Sequence, residues 1–172
     1  MEIKEIGSYT VLVDGEKLVK SLYEKKEDTK EITDITTICK NSFKNVSTLE
    51  NLSIEAKESL TIEESAFENC SKLKTLVLDM KEKNLLIQSD AFKNCNELDC
   101  VYIKSANKIT IEKDAFSQCY NLRVVILELA PESTDIEIRE SVFESSTDLC
   151  IISNSSDVKN YCNEHEIEYK GL

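Results

Sequence analysis

The chain is poor in the residues that build several common binding sites. Its 172 residues include three glycines, one proline, one histidine and no tryptophan. A phosphate-binding loop needs several glycines in a short segment, so P-loop and Rossmann-type nucleotide binding are excluded. No Asp-rich calcium loop with its central glycine is present either. We expect no cofactor and no catalytic residue.

Positive charge and long apolar runs are also scarce. Lys and Arg number 21 against 33 Asp and Glu, and the formal net charge of -12 repels phosphate backbones. Nucleic acid is therefore not an expected partner. No window approaches the roughly 20 apolar residues that cross a bilayer, and the start "MEIKEIGSYTVLV" lacks the regions of a signal peptide. We expect no direct membrane insertion.

The phenylalanines mark an internal repeat. They are Phe43, Phe67, Phe92, Phe116 and Phe143, at intervals of 24, 25, 24 and 27 residues. Each is preceded by Ile at five residues and followed by Leu at six and by Leu, Val or Ile at nine. A period of about 20 to 29 residues with a leucine-rich core is typical of a solenoid, whose turns bury their apolar faces against one another.

Each turn is predicted to contain two short strands. "LKTLVL", "LDCVYI" and "LRVVIL" alternate inward and outward residues, as strands do, and stacking them makes a parallel sheet. A second apolar alternation precedes each Phe. The "ESAFENC" piece between them is predicted to be a tight helical or 3-10 turn with its Phe inward. At a strand spacing of about 4.8 Å, the phenylalanines would form a ladder.

The outward positions of the central strands form the candidate site. These positions are Thr75, Val77, Asp79, Cys100, Tyr102, Lys104, Val124, Ile126 and Glu128. Val77, Tyr102, Val124 and Ile126 are predicted to form an apolar patch beside Cys100, and such patches often mark partner surfaces. The alternative is that these residues are simply good strand formers, or that a neighbouring domain covers them.

The same spacing predicts the fifth turn. There Ile152, nine residues after its Phe, is expected to face inward, and Ile151, Ser153 and Ser155 outward.

The repeat motif I...AF..C..L..[VL].[LI], with Ala-Phe at 66–67, 91–92 and 115–116, resembles the BspA-like (Treponema pallidum type) leucine-rich repeats. The resemblance covers about residues 32–154 and implies an α/β-type leucine-rich-repeat solenoid of five turns of about 24 residues, capped at both ends. It also implies adhesion, because such repeats are common in surface and secreted proteins of bacteria and protozoa that bind matrix proteins or other cells.

The chain is predicted to be one domain with an N-terminal cap (1–31), five repeats (32–154) and a C-terminal cap (155–172). In the first cap, "YTVLVDG" (9–15) is predicted as a strand. "EKLVKSLYEKK" (16–26) is a second strand or a short helix, of which we favour the helix, followed by a charged loop to about Thr29.

The C-terminal cap is predicted to be a helix and a strand. Ser156 or Asp157 is expected as the helix N-cap, with Val158, Tyr161 and Cys162 on one face. A short strand follows in the alternation of Ile167 and Tyr169.

The seven cysteines are an odd number, which excludes a complete disulfide framework. Cys70, Cys95 and Cys119 are spaced by the repeat period, whereas zinc ligands are paired two to four residues apart. We expect buried, reduced thiols and no metal. The single histidine, His165, follows Cys162 by three residues, but no further ligand is indicated and we expect a solvated cap residue.

Asn45 and Asn69 lie in N-x-[ST] sequons but share a repeat position with Asn94 and Gln118. We expect a ladder in which these amides bond turn backbone rather than carry glycans.

The leading functional hypothesis is a non-enzymatic module that presents an open sheet to a protein or glycan partner. An intracellular scaffold is the alternative, since reduced cysteines and a missing signal fit it. A β-helix enzyme acting on polysaccharide is disfavoured, because Asp79, Lys104 and Glu128 form only a mixed edge. The resemblance implies a surface or secreted protein, a cytoplasmic one stays open, and the sequence does not indicate the oligomeric state.

Overall fold

The computed structural model describes residues 2–6, 9–14, 17–24, 29–32, 35–131 and 135–172. Within them the chain forms short strands and one helix. The strands are β1 Glu2–Ile6, β2 Tyr9–Asp14, β3 Lys17–Glu24, β4 Thr29–Ile32, β5 Thr37–Ile38, β6 Asn51–Glu55, β7 Leu60–Ile62, β8 Thr75–Asp79, β9 Asn84–Ile87, β10 Cys100–Ala106, β11 Lys108–Ile111, β12 Val124–Leu129, β13 Asp135–Ile138, β14 Cys150–Ser153 and β15 Glu168–Gly171. The helix, α1, is Ser156–Glu164.

The strands make two sheets that run along the stack. Sheet I has the order β1-β2-β3-β5-β7-β9-β11-β13, and sheet II the order β15-β14-β12-β10-β8-β6-β4. Each repeat gives one strand to each sheet, and all pairs from β3–β5 onward are parallel. The predicted solenoid of parallel strands is confirmed.

The core lies between the sheets and contains the phenylalanine ladder. The ring centroids of successive phenylalanines are 4.8, 5.0, 5.1 and 5.7 Å apart, and the rings are stacked. Phe67 and Phe92 are fully buried, and Phe143 at the C-terminal end is 6% exposed. The predicted ladder is confirmed, and its spacing follows from the spacing of the strands.

The turns around each Phe have left-handed backbone on both sides. Two residues before Phe, φ lies between 55° and 60° in all five turns; the residues are Asn41, Ser65, Asp90, Asp114 and Ser141. Two residues after Phe, φ lies between 59° and 83°; the residues are Asn45, Asn69, Asn94, Gln118 and Ser145. Between them, bonds such as Glu68 N–H to Ser65 O (3.2 Å) close single hydrogen-bonded turns. Left-handed residues interrupt a right-handed helix, so these turns do not lengthen into helices.

The N-terminal segment differs from the expectation. Our preference for a helix in residues 16–26 is wrong, because Lys17–Glu24 is strand β3. It pairs antiparallel with β2 and parallel with β5, and so supplies backbone partners to the end of sheet I that β5 would leave open. Residues 25–28 of the expected charged loop lie outside the described residues, and Thr29 begins β4.

The fifth turn corrects a second expectation. Ile151 pairs with Val125 and Ile152 with Ile126, so Ile152 faces outward and Ile151 inward, opposite to the prediction. The fifth turn reaches its strand one residue sooner after Phe than the fourth, and a shift of one residue exchanges the two faces of a strand. Ser153 therefore faces inward, where its hydroxyl donates to the Leu127 carbonyl at 2.6 Å.

The C-terminal segment forms α1 and β15. The N-cap of α1 is Ser155, whose hydroxyl accepts from the Asp157 N–H, rather than Ser156 or Asp157. Val158 and Cys162 are buried against the last turn, and Tyr161 packs against it half-buried. The strand β15 pairs with β14 and so continues sheet II past the last Phe turn.

Candidate functional site

The outward side chains of sheet II form what we call the strand face. It comprises the nine predicted residues of β8, β10 and β12 together with Ile152 of β14. Register places Val77, Tyr102, Ile126 and Ile152 side by side in one row across four strands. This row is the apolar centre of the strand face.

A second row lies beside it. Thr75, Cys100 and Val124 are aligned across the same strands, and the Thr75 hydroxyl donates to the Asn51 amide oxygen at 2.6 Å. The nine predicted residues are all half-buried rather than fully exposed, because neighbouring strands cover their flanks. Burial raises the pKa of the Cys100 thiol, so this thiol is poorly suited to act as a nucleophile.

Sequence reasoning missed Ile152, because the repeat spacing put it in the core. No local signal marks the change, because the polar Ser153 fits the outward position that the repeat spacing gave it. A serine fits a buried position poorly unless its hydroxyl is bonded, as it is here.

Tyr102 is held in place by Glu128. Its hydroxyl donates to Glu128 Oε2 at 2.5 Å, and Ser105 Oγ donates to Glu128 Oε1 at 3.3 Å. A bulge in β10 between Ile103 and Ala106 brings Ser105 to this carboxylate. The hydrogen bond with Glu128 is the main cause that raises the pKa of Tyr102 to about 12. The ring is therefore a neutral, oriented aromatic side chain at the middle of the apolar row.

The carboxyl ends of the strands form a mixed polar edge. Asp79 accepts an ion pair from Lys81 at 3.0 Å and a longer one from Lys104 at 3.8 Å. Asp79, Lys104 and Glu128 are therefore engaged with neighbours within the chain. This edge gives polar boundaries to the apolar row.

The other ends of these strands carry charges of alternating sign. The position seven residues after Phe holds Glu50, Lys74, Asp99 and Arg123 in successive turns. Lys74 Nζ lies 2.7 Å from Glu50, and Arg123 Nε lies 2.5 Å from Asp99. We call these four residues the charge column.

The repeated cysteines form hydrogen bonds between turns in the core. Cys70, Cys95 and Cys119 donate their S–H groups to the Phe carbonyl of the preceding turn at 3.2, 3.3 and 3.2 Å. In the fifth turn Ser146 donates to the Cys119 carbonyl at 3.2 Å. All seven cysteines are thiols, and these three are fully buried.

The asparagines form an amide ladder. Asn69 Nδ2 donates to Asn45 Oδ1 at 2.8 Å, and Asn94 Nδ2 donates to Asn69 Oδ1 at 2.6 Å. The expectation that these amides bond turn backbone is corrected, since each bonds the amide of the next turn. Asparagine suits this position because it also tolerates left-handed backbone.

The described residues offer little chemistry. Among them, no group of three His, Cys, Asp or Glu side chains is placed to hold a metal ion. His165 is exposed, with its ring 4.3 Å from the ring of Tyr161. The helix of the described chain is too short and too polar to cross a bilayer.

Fold and site together define a repeat solenoid of parallel strands that presents the strand face on sheet II. The model of the BspA type leucine-rich repeat region matches residues 36–166 in six copies, and the chain belongs to this family. The match extends beyond residue 154, where our five repeats end, into the C-terminal helix. Comparison with curated proteins and with solved structures gives no significant match. Repeats of this family suggest a protein-interaction role and are generally not enzymatic.

Proposed function

We propose that this chain is a binding module that holds a protein partner on the strand face. The observation that carries the proposal is the in-register row Val77, Tyr102, Ile126 and Ile152 on a hydrogen-bonded parallel sheet. A row of adjacent apolar side chains with polar boundaries is the arrangement that protein interfaces use at their centres.

The energetics of such a site favour binding. Strand backbone is already ordered, and the Tyr102 ring is oriented by Glu128, so little conformational entropy is lost on association. Tyrosine is enriched among residues that contribute most to binding, especially at the centre of an interface. We therefore place Tyr102 and Ile126 at the centre of the contact.

The test is capture of partners by the immobilised chain. Tyr102→Ala combined with Ile126→Ala is expected to abolish capture of the partner that the wild type retains, with thermal unfolding little changed. The matched control is Leu86→Ala with Thr110→Ala, two half-buried outward positions of sheet I. Equal capture by the strand-face variant and the wild type would exclude the strand face as the site.

At a finer level we propose adhesion at a cell surface, the role that the resemblance to BspA-like repeats implies. The partner is then a matrix or cell-surface protein, with a surface glycan as the alternative. An intracellular scaffold is the competing role, supported by the seven thiols. Fractionation of the native source with thiol titration separates the two, and a glycan array tests the glycan. We also propose that residues 1–31, 32–154 and 155–172 act as one unit of cap, repeats and cap.

A further inference from the structure

The two sheets end at different places at the C-terminal end of the stack. Sheet II continues past the fifth turn through β15, whereas sheet I ends at β13. In the described part of the chain, no strand follows β13 in sheet I, and α1 lies beside β13 across a cavity. One strand position of sheet I is therefore open.

The outer edge of β13 carries backbone groups that could pair with a further strand. In earlier turns, the last isoleucine of each sheet I strand accepts a backbone hydrogen bond from the residue that follows the next strand. These carbonyls belong to Ile62, Ile87 and Ile111, and Arg139 N–H is the donor to Ile111 O at 2.9 Å. By this alternation the N–H and C=O groups of Ile136 and Ile138 point away from β11. No bond to these groups is present among the described residues.

The side chains of this edge are uncovered too. Ile109 and Ile111, their equivalents one turn earlier, are fully buried, whereas Ile136 and Ile138 are half-buried. A cavity of about 260 Å³ lies between β13 and α1. We call it the edge groove; Ile136, Ile138 and Tyr161 form its apolar part, and Glu137, Asp157 and Glu164 its polar walls.

The walls of the edge groove carry negative charge. Glu137 pairs with Arg139 at 2.8 Å, but in the described chain Asp157 and Glu164 have no ion-pair partner within 4.0 Å. The formal net charge of the whole chain is -12, which attracts cationic segments at long range.

We propose that the edge groove binds an extended, cationic polypeptide segment that pairs with β13 as an added strand of sheet I. Main-chain bonds to Ile136 and Ile138 supply the pairing, as in other cases of strand addition to an open sheet edge. Side chains of the segment alternate between the two faces, so apolar residues lie over the isoleucines and Lys or Arg residues lie beside Glu137. The edge groove is separate from the strand face, which belongs to sheet II.

The probe for this site is the peptide acetyl-Lys-Val-Lys-Val-Lys-Val-Lys-amide, labelled for fluorescence anisotropy with the full chain. We expect saturable binding, and hydrogen exchange measured by NMR that slows at the Ile136 and Ile138 amides. The Glu137 amide, which faces β11, should keep its exchange rate. The corresponding Glu-Val peptide, and a Lys-Val peptide N-methylated at alternate residues, should not bind.

Charge reversal tests the walls without touching the core. Glu137→Lys with Glu164→Lys should weaken binding of the peptide by about tenfold or more, since removing a rim carboxylate and adding a like charge both oppose association. The matched control, Glu58→Lys with Glu97→Lys, changes net charge equally at exposed positions outside the edge groove.

Several results would overturn the proposal. If both double variants weakened peptide binding equally, the effect would come from the overall charge and not from the edge groove. Binding of the N-methylated peptide would exclude strand pairing. If the peptide slowed hydrogen exchange only at the amides of Val77, Tyr102 and Ile126, its binding site would be the strand face and not the edge groove. A dimer seen by light scattering without peptide and lost in Glu137→Lys with Glu164→Lys would make a second copy the occupant.

Discussion

The inner phenylalanines of the ladder are buried and stacked on both sides, so each should contribute strongly to stability. Phe92 is fully buried and stacks on a ring at 5.0 Å and another at 5.1 Å. Phe92→Ala should lower the free energy of unfolding by about 3 to 5 kcal/mol, because it removes apolar contacts and leaves a cavity that a rigid stack fills poorly. Urea unfolding measures the loss. Tyr120→Ala, at a position 61% exposed, is the control; coincident curves for Phe92→Ala and wild type would contradict the ladder.

Tyr102 predicts a pH dependence at high pH. Its pKa is raised to about 12, chiefly by the hydrogen bond to Glu128, whereas an unfolded tyrosine titrates near 10. The stability that this shift contributes is therefore complete below pH about 10 and is lost as pH rises toward 12. Between pH about 10 and 12, the free energy of unfolding measured with a chemical denaturant should fall less steeply with pH for Tyr102→Phe than for wild type. Tyr120→Phe should keep the wild-type slope, and a Tyr102→Phe slope equal to it would refute the assignment.

At the scale of the element, the charge column joins neighbouring turns by surface ion pairs. Lys74→Glu would place three acids next to one another at Glu50, position 74 and Asp99. Neighbouring like charges should lower the free energy of unfolding, and should lower it less at high salt. Adding Glu50→Lys leaves one like pair instead of two and should recover part of the loss. Urea unfolding at low and high salt measures it, and a loss that does not depend on salt would show that packing rather than charge is responsible.

The elements also show what the sequence can predict. The strands, the inward residues and the Phe ladder follow from positions that recur in every turn. Ile152 does not, because the fifth turn shortens by one residue and nothing local marks the change. The prediction for strand β3 is wrong for another reason. Its structure is determined by pairing with β2 and β5, and local propensity contains no information about these partners.

The candidate site was predictable to a similar extent. The nine residues of β8, β10 and β12 do lie together on one face. The hydrogen bond from Tyr102 to Glu128 was not predictable, because the repeat spacing gives the face on which a side chain lies and not its rotamer. The edge groove required knowing that β15 follows β14 in sheet II while sheet I stops at β13.

At the scale of the molecule, the reactivity of the thiols measures unfolding of the solenoid. Cys39 and Cys100 are half-buried and the other five cysteines are buried. Burial raises the pKa of Cys95 far above its ordinary value and that of Cys162 to about 11, so these thiols should react with a thiol reagent only after opening. Native protein should show at most two reactive thiols, and urea-unfolded protein seven. Seven thiols of equal rate in native protein would contradict the closed core.

The amide ladder has a consequence for producing the protein in a eukaryotic secretory host. Asn69 lies in an N-x-[ST] sequon, yet its Nδ2, the atom that would carry a sugar, is bonded to Asn45 in the folded chain. A glycan on this nitrogen would crowd the stacked amides of the neighbouring turns, so we expect folding and glycosylation to compete at Asn69. Secreted folded material should carry an unmodified Asn69, while Asn69→Gln would remove the competition at the expense of the ladder.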